Sequence, residues 1–523
     1  MAAPFTCPVV AAGTQGGPRR RLLVRAKIKS PRALLGPLLL LAVLTFPAES
    51  APANLTVCFH TRLHGDTAAE SPAELLAMQA AVSDVRARAC SLLGSGGLSS
   101  AACASLPNGF MLKAVVVASA GAGAAAARQA AEECIASGSD VIVGPGGAEH
   151  AALVTLVAGA SGVPLVSYSA TSASLSDEAV TPLLARTAFS DGLIATAAAS
   201  LFRQMAWSHV AILHDCTAAA HALAASLERN AVDADTTLHP FATCGGSRAL
   251  SHSLHVVGAS GVQVVLVLGL LEELSAIMRE ADALGLISRD LRFLHMDVYP
   301  EALMPDTSPS AATSLPTWPS DTLRPIAVPA LQERLSKVTA DDIGEVLLLG
   351  EDGGEELLKP AAPSQPPAQH LPLAAMAAYD AIWGIALAGA RVDADVAGAG
   401  GVGAAVYQQL ASGSVSFDGV SGRVSWDGNG DRSVATAVVD ISYLAPVEGG
   451  AHVQRLATWT DGSGLSLHAI SDPELWPPLG SAAPPPLCSE QRQSSCPQCD
   501  PAGAAATLCP VGVVVGIALS VGA

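Results

Sequence analysis

Aromatic and charged residues are both scarce in this 523-residue chain, at 4% and 14% of the total. Basic charge is the rarer sign, with 28 Lys and Arg against 46 Asp and Glu. Seven of those 28 lie before residue 54, where Glu49 is the one acid. The remainder is strongly acidic and has no basic stripe, which argues against nucleic acid as a partner. Catalytic signatures are missing too. There is no GxSxG elbow, HExxH or P-loop. Gly144-Pro145-Gly146-Gly147 sits where a dinucleotide fingerprint would, but Glu149 occupies the position of its third glycine. The expectation is a protein that is not an enzyme and carries no cofactor or metal.

What the chain does have is alanine and aliphatic bulk, with a mean hydropathy of +0.41. That is a core-forming composition, and the length suits about three domains. The organising stretch is Ser139–Asp177. Val141–Val143 is a short β-branched run that stops at the glycines. Leu153, Leu156, Val157 and Ala160 then recur at helical spacing, and Val163–Tyr168 is a second apolar run. Strand, turn, helix and parallel strand leave their chemistry at the carboxyl ends of the strands. Those ends carry two loops of small and hydroxyl residues, Gly144–His150 and Ser167–Ser174. A helix N-terminus beside such a turn attracts an anion.

The pattern repeats along the chain. Asn54–Phe59 and Phe110–Ala118 read as strands, and Ser71-Pro72-Ala73-Glu74 opens a helix carrying Leu75, Met78, Val82 and Val85 on one face. Met78 reads as core. Asp191-Gly192 opens an alanine-rich helix with Asp191 as its N-cap. Val262–Leu268 and Leu291–Met296 read as strands around the helix of Leu271, Leu274, Ile277, Ala281 and Leu284, with Gly285 at its C-cap. Alternating strands and helices imply parallel sheets covered on both faces. Residues 301–370 break the pattern with proline clusters and the acidic stretch Glu351–Glu356. They read mostly as loop, with one amphipathic helix near Ala330–Val338.

The N-terminus reads as a secretory signal, in which a basic region precedes Ala33–Phe46 and small residues follow. An uncleaved anchor and an organellar transit peptide are the other readings. Asn54-Leu55-Thr56 is a glycosylation sequon. Of 11 cysteines, Cys7 lies in the leader and an even ten remain, which fits disulfides in an oxidising compartment. Cys90 with Cys103 is the preferred pair and Cys216 with Cys244 the second, although sequence cannot fix connectivity. In the tail, Cys488, Cys496, Cys499 and Cys509 suggest a disulfide-bonded stalk rather than a zinc or redox site. Val511–Ala523 is shorter than the ~20 residues that span a bilayer. It reads as the start of a transmembrane helix or the tail of a lipid-anchor signal.

Four strings share a further property. GPGGAEHAALVTLVAGASGVPLVSYSATSASLSD (144–177), WSHVAILHD (207–215), AAMAAYDAIWGIALAGA (374–390) and FDGVSGRVSWDGNGDR (417–432) resemble the receptor ligand-binding region. That region is shared by natriuretic-peptide receptors, metabotropic glutamate and GABA receptors, and ionotropic receptor amino-terminal domains. The resemblance implies a type 1 periplasmic-binding-protein-like α/β fold, a Venus flytrap of two lobes, each a parallel sheet sandwiched by helices. On that basis residues 1–53 are a leader and 54–186 the first part of lobe 1. Residues 187–300 are the first part of lobe 2, and 301–410 a Pro-rich insertion with the return to lobe 1. Residues 411–475 hold lobe 2 and the C-terminal crossing hairpin, 476–510 the stalk and 511–523 the apolar tail. Asp427, Asn429 and Asp431 have calcium-loop spacing, but Arg432 and Val438 replace the Gly and Glu that an EF-hand needs, so the hairpin reading wins.

The family's amino-acid-binding members hold their ligand with residues that correspond to Ala148, Thr171, Asp191, Ala219 and Asp297. Thr171, Asp191 and Asp297 keep the residue type, whereas Ala148 and Ala219 lack the hydroxyl and the aromatic ring. The resemblance therefore implies a small polar ligand, amino-acid-like or otherwise, held by Gly146, Gly147, Ser169, Thr171, Asp191, His214 and Asp297. Each of these has a plainer reading. Asp191 would only cap a helix, Thr171 and Ser169 only satisfy a turn, and His214 only end a strand. Tyr379 and Trp383 read as packing anchors. The resemblance also implies dimerisation through lobe 1, the cell surface as location and a membrane anchor at the C-terminus. Two other functions stay open, a solute-binding protein serving a transporter and a dimerisation module without ligand.

Overall fold

The computed structural model describes residues 54–468, apart from 63–72, 94–103, 120–123, 215–217, 233–235, 244–246, 269–270, 288–290, 302–328, 339–345, 350–354, 359–372, 393–400 and 448–449. All described residues belong to the compact unit Ser50–Ala523 and none to Met1–Glu49. The leader, stalk and apolar tail therefore lie outside them.

Lobe 1 is built on β1 (Leu55–Arg62), α1 (Ala73–Ala87), β2 (Leu112–Ser119), α2 (Ala124–Ala136), β3 (Val141–Val143), α3 (Ala148–Ala160), β4 (Leu165–Ser167) and β5 (Leu184–Arg186). β1 is central, parallel to β2 with Leu55 opposite Leu112 and to β3 with Val57 opposite Val141. Its side chains alternate between two cores. Val57 and Phe59 point to one, and Cys58 to the other. β3 does the same with Val141 and Val143 against Ile142. Burial on both faces is why these strands are continuous apolar runs rather than alternating ones.

Lobe 2 starts with α4 (Gly192–Met205) and continues through β6 (His209–His214), α5 (Ala218–Val232), β7 (Thr237–Ala242), α6 (Ser247–Ala259), β8 (Val264–Leu268), α7 (Leu271–Ala283) and β9 (Arg292–Pro300). β7, β6, β8 and β9 run parallel. β8 serves both faces, with Leu266 and Leu268 in one core and Val265 and Val267 in the other. Gly285 follows α7 at φ +68°, in the left-handed region expected past a helix end.

The chain then returns through α8 (Pro329–Leu335), β10 (Val346–Leu349), β11 (Glu355–Leu358), α9 (Leu373–Gly389), α10 (Gly401–Ala411), β12 (Ser416–Gly419) and β13 (Gly422–Ser425). It ends in β14 (Ala437–Val447), β15 (Gly450–Thr460) and β16 (Gly464–Leu467). The first sheet has the order β11-β10-β2-β1-β3-β4-β5, and the second β16-β15-β14-β9-β8-β6-β7. α9 is buried from Ala375 to Gly389, which explains its apolar character all round. Trp383 and Tyr379 are fully enclosed in it, as is Met78 in α1. Each such large side chain contributes about 1.5–3 kcal/mol of transfer free energy.

Three expectations need correction. Val346–Leu349 and Glu355–Leu358 are not loop: β10 extends the first sheet beside β2, with Val346 opposite Val116, and β11 pairs antiparallel with it. The prolines nearby masked the short apolar run Val346–Leu349. The segment 411–475 divides between lobes. Phe417, Val424 and Trp426 of the β12–β13 hairpin pack in the first lobe's core, while β14 pairs antiparallel with β9 of the second. The first lobe also holds a disulfide that was not anticipated, Cys58–Cys134, joining β1 to α2 over a Cα separation of 5.6 Å. Both cysteines face the core between that strand and helix. Cys90 is disulfide-bonded as well, while Cys103, Cys216 and Cys244 lie outside the described residues. Asn54 is exposed, directly before β1.

Candidate functional site

The site starts at the carboxyl ends of β3 and β4. Ser167 Oγ donates to Pro145 O (2.9 Å) and accepts from Ala170 N (3.2 Å), and Ser169 Oγ donates to Gly146 O (3.1 Å). Two hydroxyls thus lock the loop after β4 onto the glycine turn after β3. Gly146 is required there, because a Cβ would overlap Ser169 Oγ. Gly147 is the N-cap of α3 and makes no side-chain capping bond.

Thr171, next in this loop, turns toward the crossing. Its Oγ1 donates to Asp191 Oδ2 at 2.9 Å, and Asp191 N donates to Thr171 O at 2.8 Å. Asp191 stands at the N-cap position of α4, as expected, but makes no side-chain capping bond. Its carboxylate is committed to Thr171. Burial raises the Asp191 pKa most. The Asp297 carboxylate pushes the same way, while the Thr171 hydrogen bond and Arg186 pull it down. Asp297, on β9, accepts from Tyr299 Oη at 2.8 Å and from Val298 N at 3.1 Å. The Oγ1–Oδ2 hydrogen bond thus joins Thr171 of lobe 1 to Asp191 of the crossing, and Asp297 of lobe 2 acts on Asp191 through the weakest of the influences on its pKa. His214 sits elsewhere: β8 separates its strand from β9, and its ring packs edge-on against His221.

Beneath this group lies a buried node that joins the crossing segments. Arg186, fully buried at the end of β5, donates to Asp431 Oδ1 (2.7 Å), Ala170 O, Ser172 O and Ser176 Oγ. Arg432 donates to Thr187 O, Ser421 Oγ, Ser421 O and Arg423 O, and its guanidinium lies 4.5 Å from the centre of the Phe189 ring. Asp380 of α9 accepts from Val420 N, Ser421 N and Ser421 Oγ. Burial pushes Asp380 up to about 6 against those bonds and Arg432. Burial also drives Arg432 down to about 10, with Asp380 opposing. Sequence reasoning matched the strings holding these residues without seeing the node. The available signal was a lone Asp inside the otherwise apolar Leu373–Gly389.

The Asp427–Asp431 turn is closed by its own backbone, since Asp427 Oδ1 accepts from Asn429 N and Asp431 N. Among the described residues no cluster of His, Cys, Asp or Glu is arranged to hold a metal.

Two sheets with parallel centres and antiparallel edge strands, packed against helices and joined by strand crossings, define the type 1 periplasmic-binding-protein-like fold of a ligand-binding region. The chain belongs to the receptor family ligand binding region, which matches residues 100–443. Comparison with curated proteins gives no match.

Proposed function

We propose that this chain is the extracellular ligand-binding part of a membrane receptor, taking a small polar molecule between its lobes and signalling by their closure. The observation that carries this reading is the Thr171–Asp191 hydrogen bond at the crossing, with the Asp297 carboxylate of lobe 2 acting on Asp191 electrostatically. A ligand touching all three gains contacts in the closed state that neither lobe supplies alone, and so shifts the population toward closure. Two carboxylates beside one hydroxyl suit a ligand with a cationic nitrogen, through charge-assisted hydrogen bonds. Ala148 offers no hydroxyl for a ligand carboxylate, so an amine fits better than an amino acid. The Cys58–Cys134 disulfide and the exposed Asn54 sequon support an oxidising, secretory location. Leu156 and Val180, half exposed on lobe 1, support pairing with a second copy. No helix among the described residues is long and apolar enough to cross a membrane, and the anchor is assigned to the C-terminal apolar segment. Catalysis has no part in this reading.

Thermal unfolding against amines, amino acids, nucleotides and small carboxylates tests it. A ligand at a hundredfold excess over its Kd stabilises the native state by about 2.7 kcal/mol. The expected hit is an amine whose effect disappears in Asp297→Ala and weakens in Thr171→Val. A hit confined to carboxylates or nucleotides would overturn the ligand class. No hit in any class, with dimers by light scattering, would favour the assembly module instead.

A further inference from the structure

Away from that group, the outer face of lobe 2 carries an open cleft of about 560 Å³ between α6 and the C-terminal end of α7. Its lining is Arg248, Ser251, His252 and His255 from α6, with Glu280 and Leu284 opposite. The α6 residues follow i, i+3, i+4, i+7 and therefore form one stripe of the helix. Leu250, Leu254 and Val257 of the same helix point into the lobe's core, so this stripe is the helix's outward polar face. Its composition is unusual for this chain. In a protein where acids outnumber bases 46 to 28, three side chains able to carry positive charge share two turns of one helix.

Among the described residues, none of these three forms an ion pair or hydrogen bond with the protein, although Glu280 lines the same cleft. Arg248 is exposed with its five donors unspent. A planar guanidinium, two imidazoles and a hydroxyl on one helix face are donor types that suit the oxygens of a phosphate group.

We infer that this cleft is a binding site for an oxyanion, namely the phosphate group of a small molecule. Arg248 holds two phosphate oxygens through its fork, and Ser251, His252 and His255 donate to the others. Glu280 faces the ligand from the opposite wall, where it repels a second anionic charge and accepts from a hydroxyl. Leu284 supplies the apolar contact beside it. The site is separate from the Thr171–Asp191–Asp297 group and does not depend on what binds there.

Calorimetric titration of the full chain with inorganic phosphate tests the assignment, using Arg248→Gln and Glu280→Gln as variants. Both changes are on the surface and leave the cores untouched. Saturable binding is expected in the parent, weakened about tenfold by loss of the Arg248 fork. Glu280→Gln should tighten binding severalfold, because it removes the one repulsive charge. Opposite effects from two surface changes would not arise from altered stability. Absence of saturable heat, or equal affinity in all three proteins, would overturn the proposal.

Discussion

Asp380 is a carboxylate enclosed by an apolar helix, with only Arg432, Ser421 and two backbone amides to hold its charge. Asp380→Ala leaves the buried amides of Val420 and Ser421 without their acceptor, which costs about 1–3 kcal/mol for each group left unsatisfied. Urea unfolding of the variant would measure that loss. The same residue sets a pH dependence. Its pKa rises from the unfolded value of 3.8 to about 6 in the native state. Between those values the native protein binds more protons than the unfolded chain, so stability falls as pH rises. The contribution of Asp380 is complete below the unfolded pKa and is lost as pH passes through about 6. Melting temperatures of the parent and Asp380→Asn, compared at pH 4.5 and 7.5, should fall more steeply with rising pH in the parent than in the variant. Gly430 is a second sensitive position. It sits at φ +79°, and a Cβ there would overlap the backbone oxygen of Leu184. Gly430→Ala is expected to lose ~2 kcal/mol or more from strain and displaced backbone together. An unchanged urea midpoint would contradict this.

Elements explain what sequence showed and what it hid. The strands Val141–Val143 and Val264–Leu268 were legible because burial on both faces demands uninterrupted β-branched and aliphatic runs. The helices opened by Ala73 and Gly192 were legible from their spacing. Thr171, Asp191 and Asp297 were named from motif resemblance, but only tertiary structure shows that Asp191 bonds Thr171 rather than capping its helix. The Arg186–Asp431 bond joins residues 245 apart in sequence, a pairing that no local pattern encodes. The β10–β11 edge went unread because four-residue strands carry too little periodicity beside prolines. The Cys58–Cys134 link was also invisible, since a strand cysteine and a helix cysteine are matched only by packing. It closes a long stretch of chain, at a sequence separation of 76. Cys134→Ala should cost about 2–5 kcal/mol, read as a lowered denaturant midpoint under oxidising conditions.

For the whole molecule, the two sheets are separate cores that share Arg186, Asp380, Arg432 and Asp431 at their crossings. Under the proposed function, that node would stay fixed while the lobes close about it, as hinge residues absorb motion at a few positions near element ends. A ligand held at Thr171 and Asp191, as proposed, would then act on the angle between lobes. Small-angle X-ray scattering of the chain, with and without the amine found by thermal unfolding, measures that angle most directly. The account predicts a ligand-induced fall in the radius of gyration that is absent in Asp297→Ala, with the fold of the variant intact. An unchanged radius at saturating ligand would contradict closure as the output.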